Sequence, residues 1–278
     1  MDRRPQFDRI GYWSEVKPDI IRDYARAYST ILAAQKTPPL YHVYIDAFAG
    51  AGGHLTKATE DFVPGSPLNA LNVRPLFWEY HLIDIEPEKI ESLKELIAGR
   101  NNVFIYEGDC NTILLDKIFP RVAYKDYRRG LCILDPYGLD LSWSVISTAG
   151  QMKTLDVFLN FPVMDMNRNV LWRNPDRVGP TQIARMNSFW GDESWRDIAY
   201  RTDLGLFGEP EKQTNEVIAE AFRLRLQKTA GFARVPRPLP MRNSTGATVY
   251  YLYFASQKNT AENIVIDIFK KYQDRGAS

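Results

Sequence analysis

Four apolar runs in this chain each stop on a carboxylate, and each is followed by a helical pattern. Residues 40–46 stop at Asp46, 77–84 at Asp84, 103–107 at Gly108-Asp109, and 130–134 at Asp135. A fifth run, 155–161, ends in Asn160-Phe161-Pro162. Strands alternating with helices predict a parallel, doubly wound α/β sheet. Ligands in such sheets lie at the carboxyl ends of the strands. Four acids at four successive strand ends therefore converge on one place, which no single acid would establish.

The first strand leads into a loop of small residues, Ala47-Phe48-Ala49-Gly50-Ala51-Gly52-Gly53. Glycine there lets a backbone pass close against a ligand. Gly50 and Gly52 fit the first two positions of the dinucleotide fingerprint, but the third position is Leu55. Asp46 and Asp84 stand 38 residues apart, against the ~20 of a compact dinucleotide unit. No phosphate-binding loop of the G-x-x-x-x-G-K-[ST] type is present. S-adenosylmethionine (SAM) carries no phosphate, and its site needs close backbone approach without anion capture. Asp46, Phe48, Ala49, Gly50 and Gly52 suit its methionine part. Asp84, with Ile85 beside it, suits the two ribose hydroxyls, since a carboxylate can accept from both. Asp109 suits the adenine amine with Cys110 packing on the ring. An aspartate there also suits the N-cap of the following helix, and both roles can hold.

Asp135-Pro136-Tyr137-Gly138 is the candidate catalytic segment. Methylation of an amine needs its hydrogens held so that the nitrogen lone pair faces the methyl group. The Asp135 carboxylate and the Pro136 carbonyl are two acceptors at fixed spacing, and Tyr137 can stack on a planar base. No covalent nucleophile is needed, because positioning alone lowers such a barrier. The competing reading is a Pro-Tyr-Gly turn after a buried strand. Gly138, Asn160, Arg168 and Asn169 fall where a substrate would lie. Other chemistries fit poorly. His42, His54 and His81 lack metal-ligand spacing, so no metal is expected. Cys110 and Cys132 cannot make a disulfide framework and read as reduced thiols.

The remaining pattern completes the sheet. Ile20, Ile21, Tyr24, Ala25, Tyr28, Ile31 and Leu32 predict a helix over 15–35, ended by Pro38-Pro39. A long loop spans 50–64. Ser66 reads as the N-cap of a helix with Pro67 in its first turn. Helices are predicted over 87–98, closed by Gly99, and over 111–119. Residues 163–210 show little periodicity and read as a substrate or partner insertion. Residues 211–278 read as a helix (211–228), two strands (232–241 and 248–256) around a turn at 242–247, and a helix (260–273). The predicted fold is a single domain over 1–278 with a cofactor core at 15–162. It is a Rossmann-like doubly wound sheet of the class I SAM methyltransferase type with a C-terminal antiparallel hairpin.

A formal net charge of +1 gives no global basic field. Basic residues cluster locally, at Arg121/Lys125/Arg128/Arg129, Arg168/Arg173/Arg177/Arg185 and Arg234/Arg237/Arg242. Trp172, Phe189, Trp190 and Trp195 interleave with the second cluster. Arginines on phosphates with rings on bases suit a nucleic-acid groove. A solvated face over core tryptophans is the bland alternative for any one cluster. No apolar run approaches the ~20 residues of a membrane span. No apolar stretch follows Met-Asp-Arg-Arg-Pro-Gln as a signal peptide requires. A cytoplasmic protein with no membrane contact is expected.

Several of these segments together resemble the three-Cys-motif partner protein (TcmP) family. They are Tyr44-Ile-Asp-Ala-Phe-Ala-Gly-Ala-Gly52, Gly65-Ser-Pro-Leu-Asn-Ala-Leu71, Gly108-Asp-Cys-Asn111, Leu134-Asp-Pro-Tyr-Gly-Leu139 and Asn160-Phe-Pro162. Arg168-Asn169 and Phe189-Trp-Gly191 followed by Trp195 extend the likeness, which covers roughly 15–200. The resemblance implies a SAM-methyltransferase-like fold and a partner similar to radical-SAM proteins that carries the cysteine motif. A wider resemblance is to amino methyltransferases of DNA or RNA bases with a D/N-P-P-Y/F motif, which implies that Asp135, Pro136 and Tyr137 hold the target amine. Here one proline stands where that motif has two. The expectation is a SAM-dependent methyltransferase acting on a nucleic-acid base amine. The alternative is a non-catalytic accessory protein that binds a nucleotide or a cysteine-motif partner. A third option is methylation of a small molecule or a protein.

Overall fold

Seven strands make the central sheet of the computed structural model, which describes residues 9–10, 12–56, 62–201, 211–243 and 245–273. They are β1 (Tyr41–Asp46), β2 (Glu79–Asp84), β3 (Val103–Glu107), β4 (Arg128–Leu134), β5 (Leu155–Phe161), β6 (Leu239–Arg242) and β7 (Thr248–Ala255). Across the sheet the order is β3-β2-β1-β4-β5-β7-β6. Strands β1 to β5 run parallel, and β7 runs antiparallel to both β5 and β6. The expected α/β sheet with its terminal hairpin is thus the observed one. Chain direction across the sheet reverses between neighbours β1 and β4. Crossovers there leave to opposite sides, and a crevice opens at the strand ends.

Helices cover both faces, which is why the inner strands read as near-continuous apolar runs. On one face, α1 (Tyr12–Ala33), α2 (Ser66–Leu71), α3 (Pro87–Leu96) and a C-terminal helix at Asn259–Gln273 pack over Tyr44, Tyr80, Leu82 and Phe254. The other face carries α4 (Cys110–Ile113), α5 (Trp143–Met152), α6 (Val163–Asn169), α7 (Pro180–Trp190), α8 (Trp195–Ala199) and α9 (Asn215–Lys228). The C-terminal helix, α10, packs along α1.

Several local expectations change. The helix read over 111–119 is only the four residues of α4, followed by a π-turn at Leu114–Ile118 and a 3-10 turn at Phe119–Arg121. Pro120 lacks the N–H that a continuing helix needs. The strand read over 232–241 shrinks to β6. Pro236 and Pro238 donate nothing to a ladder, and upstream only Arg234 bridges to Ser256. Ser66 is not an N-cap. Gly65 takes that position, and the Ser66 hydroxyl donates to Asp46 Oδ2 at 2.6 Å. The insertion read over 163–210 contains α6, α7 and α8 and pairs Tyr200–Arg201 with Glu211–Lys212. Phe189, Trp190 and Trp195 are fully buried in it, so these rings are core and not a stacking platform; Trp172 alone of the four is exposed. Residues 202–210 of that insertion, 57–61 of the long loop and Ser244 of the hairpin turn lie outside the described residues.

Candidate active site

The carboxyl ends of the parallel strands open onto two adjoining cavities of about 300 and 230 Å³, which share Phe48, Asp84 and Tyr137. The smaller also takes in Ile85, Asp109, Cys110 and Asp140. The larger runs from Ala49 and Gly50 to Asp135, Asn160, Asp165 and Arg168, with Lys17 and Ile21 of α1 on its wall.

Asp46 lies beneath the loop rather than in the cleft. It is fully buried and accepts from Ser66 Oγ at 2.6 Å, Tyr44 OH at 3.2 Å and the Phe48 N–H at 3.3 Å. Burial pushes its pKa up to about 6, against the downward pull of those bonds. The loop above it turns through Gly50 at φ +61°, where an added Cβ would meet nothing within 4 Å. Open space above a left-handed backbone is room for a ligand. Gly52, at φ +85°, instead faces Leu93 and Leu96, whose methyl carbons would lie 3.0 and 3.2 Å from a Cβ.

Asp84 ties two segments together. Its Oδ2 accepts from the Gly50 N–H at 2.8 Å and its Oδ1 from the Glu86 N–H at 2.9 Å. A carboxylate has about four acceptor positions, so about half remain free. Ile85 is 68% exposed beside it and offers an apolar face. Asp109 caps α4, accepting from the Thr112 N–H and hydroxyl and the Asn111 amide, each at 3.0 Å. Its burial favours the acid form, but those bonds outweigh it and hold the carboxyl below its usual range. Burial pushes the neighbouring Cys110 thiol up to about 12, so it stays neutral.

At the far end, Lys17 Nζ lies 2.5 Å from Asp135 Oδ2. Burial alone would lower the ammonium's pKa. Asp135, Tyr250 and Tyr137 outweigh that and hold it above the usual lysine range, so Asp135 faces a cation. The Pro136 carbonyl accepts from Asn160 Nδ2 at 3.0 Å, and Asn160 Oδ1 is buried with no partner. Asp165 Oδ1 accepts from Asn169 Nδ2 at 2.7 Å, while its Oδ2 is likewise buried and unpartnered. Tyr137 is 77% exposed and stands between the cavities, with Lys89 Nζ 5.8 Å from its ring centre.

Eleven of the expected residues therefore line the cleft: Phe48, Ala49, Gly50, Asp84, Ile85, Asp109, Cys110, Asp135, Tyr137, Asn160 and Arg168. Asp46, Gly52, Gly138 and Asn169 stand behind it. A Cβ at Gly138 would sit 3.1 Å from Asp165 Oδ2 and 3.2 Å from Arg185 Nη2, so glycine allows that close approach. Lys17, Ser66 and Asp165 line the cleft without having been expected. For Lys17 a signal existed: it falls on the buried stripe 17, 21, 24, 28 of α1. Among the described residues, no group of three or more His, Cys, Asp or Glu is placed to hold a metal.

The strand order with its terminal hairpin is methyltransferase-like. No family model matches the chain, and the TcmP resemblance rests on its motifs. In sequence the chain is similar to ribosomal RNA small subunit methyltransferase H of Coprothermobacter proteolyticus, 22% identical over 258 residues, covering 84% of this chain and 78% of that protein. Among solved structures it is similar to a protein of Legionella pneumophila (TM-score 0.44, 13% identity, 92% of each chain). It is also similar to a SAM-dependent methyltransferase from Aquifex aeolicus (TM-score 0.33, 14% identity, 88% of this chain and 99% of that one). With TM-scores below 0.5 the fold rests on the strand order itself. No helix among the described residues is long and apolar enough to cross a membrane.

Proposed function

We propose that this chain is a SAM-dependent methyltransferase that methylates an amino group of a nucleic-acid base. One observation carries the reading. A single cleft along the strand ends joins acids suited to ribose and adenine, Asp84 and Asp109, to the Asp135-Pro136-Tyr137 segment. The open space above Gly50 and the apolar face of Ile85 fit the cofactor's two ends. SAM, when bound, supplies a methyl group open to in-line attack by a nitrogen lone pair. Asp135 Oδ1 and the second lone pair of the Pro136 carbonyl hold the amine hydrogens and turn that lone pair toward the cleft. With an ammonium on Oδ2, Asp135 serves as an oriented acceptor and the product's proton leaves to water. Tyr137 stacks on the base, and exposed Arg168 meets a flanking phosphate. A base within a duplex must be flipped out to reach this depth. Similarity to a ribosomal RNA methyltransferase is in keeping with such a target.

A second reading is a non-catalytic accessory protein that binds a nucleotide or a three-Cys-motif partner. It is favoured by the fact that Asp135 and the Pro136 carbonyl each already hold a hydrogen-bond donor. Calorimetric titration with SAM, followed by labelled-methyl transfer to RNA and DNA, separates the two. The first reading expects binding by the intact protein, loss in Asp84→Ala and Asp109→Ala, and loss of transfer but not of binding in Asp135→Ala. Undiminished transfer by Asp135→Ala overturns the mechanism. No SAM binding by the intact protein overturns the methyltransferase reading.

A further inference from the structure

A second hollow, partly apolar, lies at the opposite pole of the sheet. It is a cavity of about 350 Å³ between α1, α10 and the amino-terminal ends of β4 and β5, within the range of small-molecule sites. The stripe of α1 that carries Lys17 and Ile21 into the active cleft carries Tyr24, Tyr28 and Leu32 into this one.

We propose that this cavity is a second ligand site, for a planar aromatic anion bearing a hydrogen-bond donor at its buried end. The side walls carry the rings of Tyr24 and Tyr28 with Leu32, Leu155, Ala261 and Ile264, and Arg129 also lines the cavity, a further cation for an anionic ligand. Deep in it, Asp156 accepts from Tyr24 OH at 2.7 Å and Ser256 Oγ at 2.5 Å. Two of the roughly four acceptor positions of that carboxylate remain. Two hydroxyls in the same wall, Tyr28 OH and Thr154 Oγ1, have no partner although their residues are 7% and 3% exposed. Buried polar atoms without partners are rare and unfavourable, and a ligand hydroxyl or amine would give this group a partner. The mouth carries the opposite polarity. Lys153 and Lys258 are exposed on its rim and make no ion pair among the described residues. Lys153 also holds a left-handed φ of +57° as the C-cap of α5. Glycine usually takes that conformation at a helix end, so the lysine keeps its side chain there at a conformational cost. An aromatic body in the walls, a donor on Asp156 and an anionic group between the two lysines use every one of these features. The site stands apart from the active cleft and does not depend on methyl transfer.

The test uses 6-hydroxy-2-naphthoate, which is planar, fluorescent, and carries a hydroxyl and a carboxylate at opposite ends. It is titrated into the full-length protein with and without saturating SAM. We expect saturable binding that SAM does not displace. Charge reversal at the rim, Lys153→Glu with Lys258→Glu, should weaken it about tenfold or more. The same variant should bind 2-naphthol, which lacks the carboxylate, as the wild type does. Ala261→Phe fills the hollow and should abolish binding of both; its melting midpoint reports whether it folds, and the surface lysine pair carries the test if it does not. No binding by the wild type, displacement by SAM, or indifference to the lysine reversal overturns the proposal.

Discussion

At the scale of single residues, Gly50 makes the sharpest claim about the cleft. Alanine at its left-handed φ costs about 1 kcal/mol, and its methyl group would clash with nothing. On the proposed reading it would project into the space SAM needs. Gly50→Ala is expected to melt within a few degrees of the wild type yet bind SAM about tenfold more weakly or worse. Wild-type affinity would place the ligand elsewhere. His81 speaks to stability. It is fully buried on β2, with Nδ1 3.1 Å from Tyr106 OH and Nε2 3.3 Å from Glu79. Burial pushes its pKa down to about 4, against the pull of Glu79 and with help from Arg121 and Arg128. The unfolded chain takes up that proton near 6.5, the folded one only near 4. His81 thus leaves stability intact above about pH 6.5 and erodes it between 6.5 and 4, by about 3 kcal/mol over the whole span. Asp46, raised to about 6, acts in the opposite sense over part of the same window. The comparison is therefore between the urea midpoints of the wild type and His81→Gln at pH 7.5 and 5. The variant should lose less on acidification, and equal losses would contradict the assignment.

At the scale of elements, α1 was legible from the spacing of Ile20, Ile21, Tyr24 and Tyr28, but its reach into the cleft was not. Periodicity shows which face a helix buries, and tertiary placement alone shows what that face meets. Lys17 on that face was the visible anomaly. The same limit explains Ser66, whose position before Pro67 suits a cap equally well, until Asp46 claims its hydroxyl. It explains Trp190 and Trp195 too, because Trp190 is buried against Phe222 of α9 and the helix that carries Trp195, α8, packs on α9, which lies far along the chain. The strands and their terminal acids were readable because a buried parallel strand leaves a continuous apolar run. Which acids face the cleft was not readable, since alternation decides it and both faces are covered. If α1 orients Asp135 through Lys17, Lys17→Met should leave SAM affinity within about twofold while lowering kcat about tenfold or more. Asp84→Ala should show the reverse emphasis, with affinity lost first. Equal effects of both variants on SAM binding would reduce Lys17 to a structural brace, and Lys17→Arg should restore part of the rate.

At the scale of the whole molecule, charge decides how a polyanion would be met. The chain's net charge is +1, and much of its arginine is already engaged, Arg128 with Glu79 and Arg225 with Asp192. Phe189, Trp190 and Trp195 are core, which removes three rings from any binding groove. What remains at the cleft mouth is local: exposed Arg168, with Trp172 donating its indole N–H to the Arg168 carbonyl at 2.7 Å. A nucleic-acid substrate held by so few cations releases few counterions, so log K should fall only gently with log salt. Each phosphate contact contributes a slope of about 0.9 on duplex or 0.7 on single strands. Arg168→Gln should flatten the slope by about one such contact and weaken binding evenly across sequences. A free nucleoside or other uncharged small substrate would show a KM indifferent to salt in both proteins. That outcome would leave the amine chemistry of Asp135 standing while moving the target from a polymer to a small molecule.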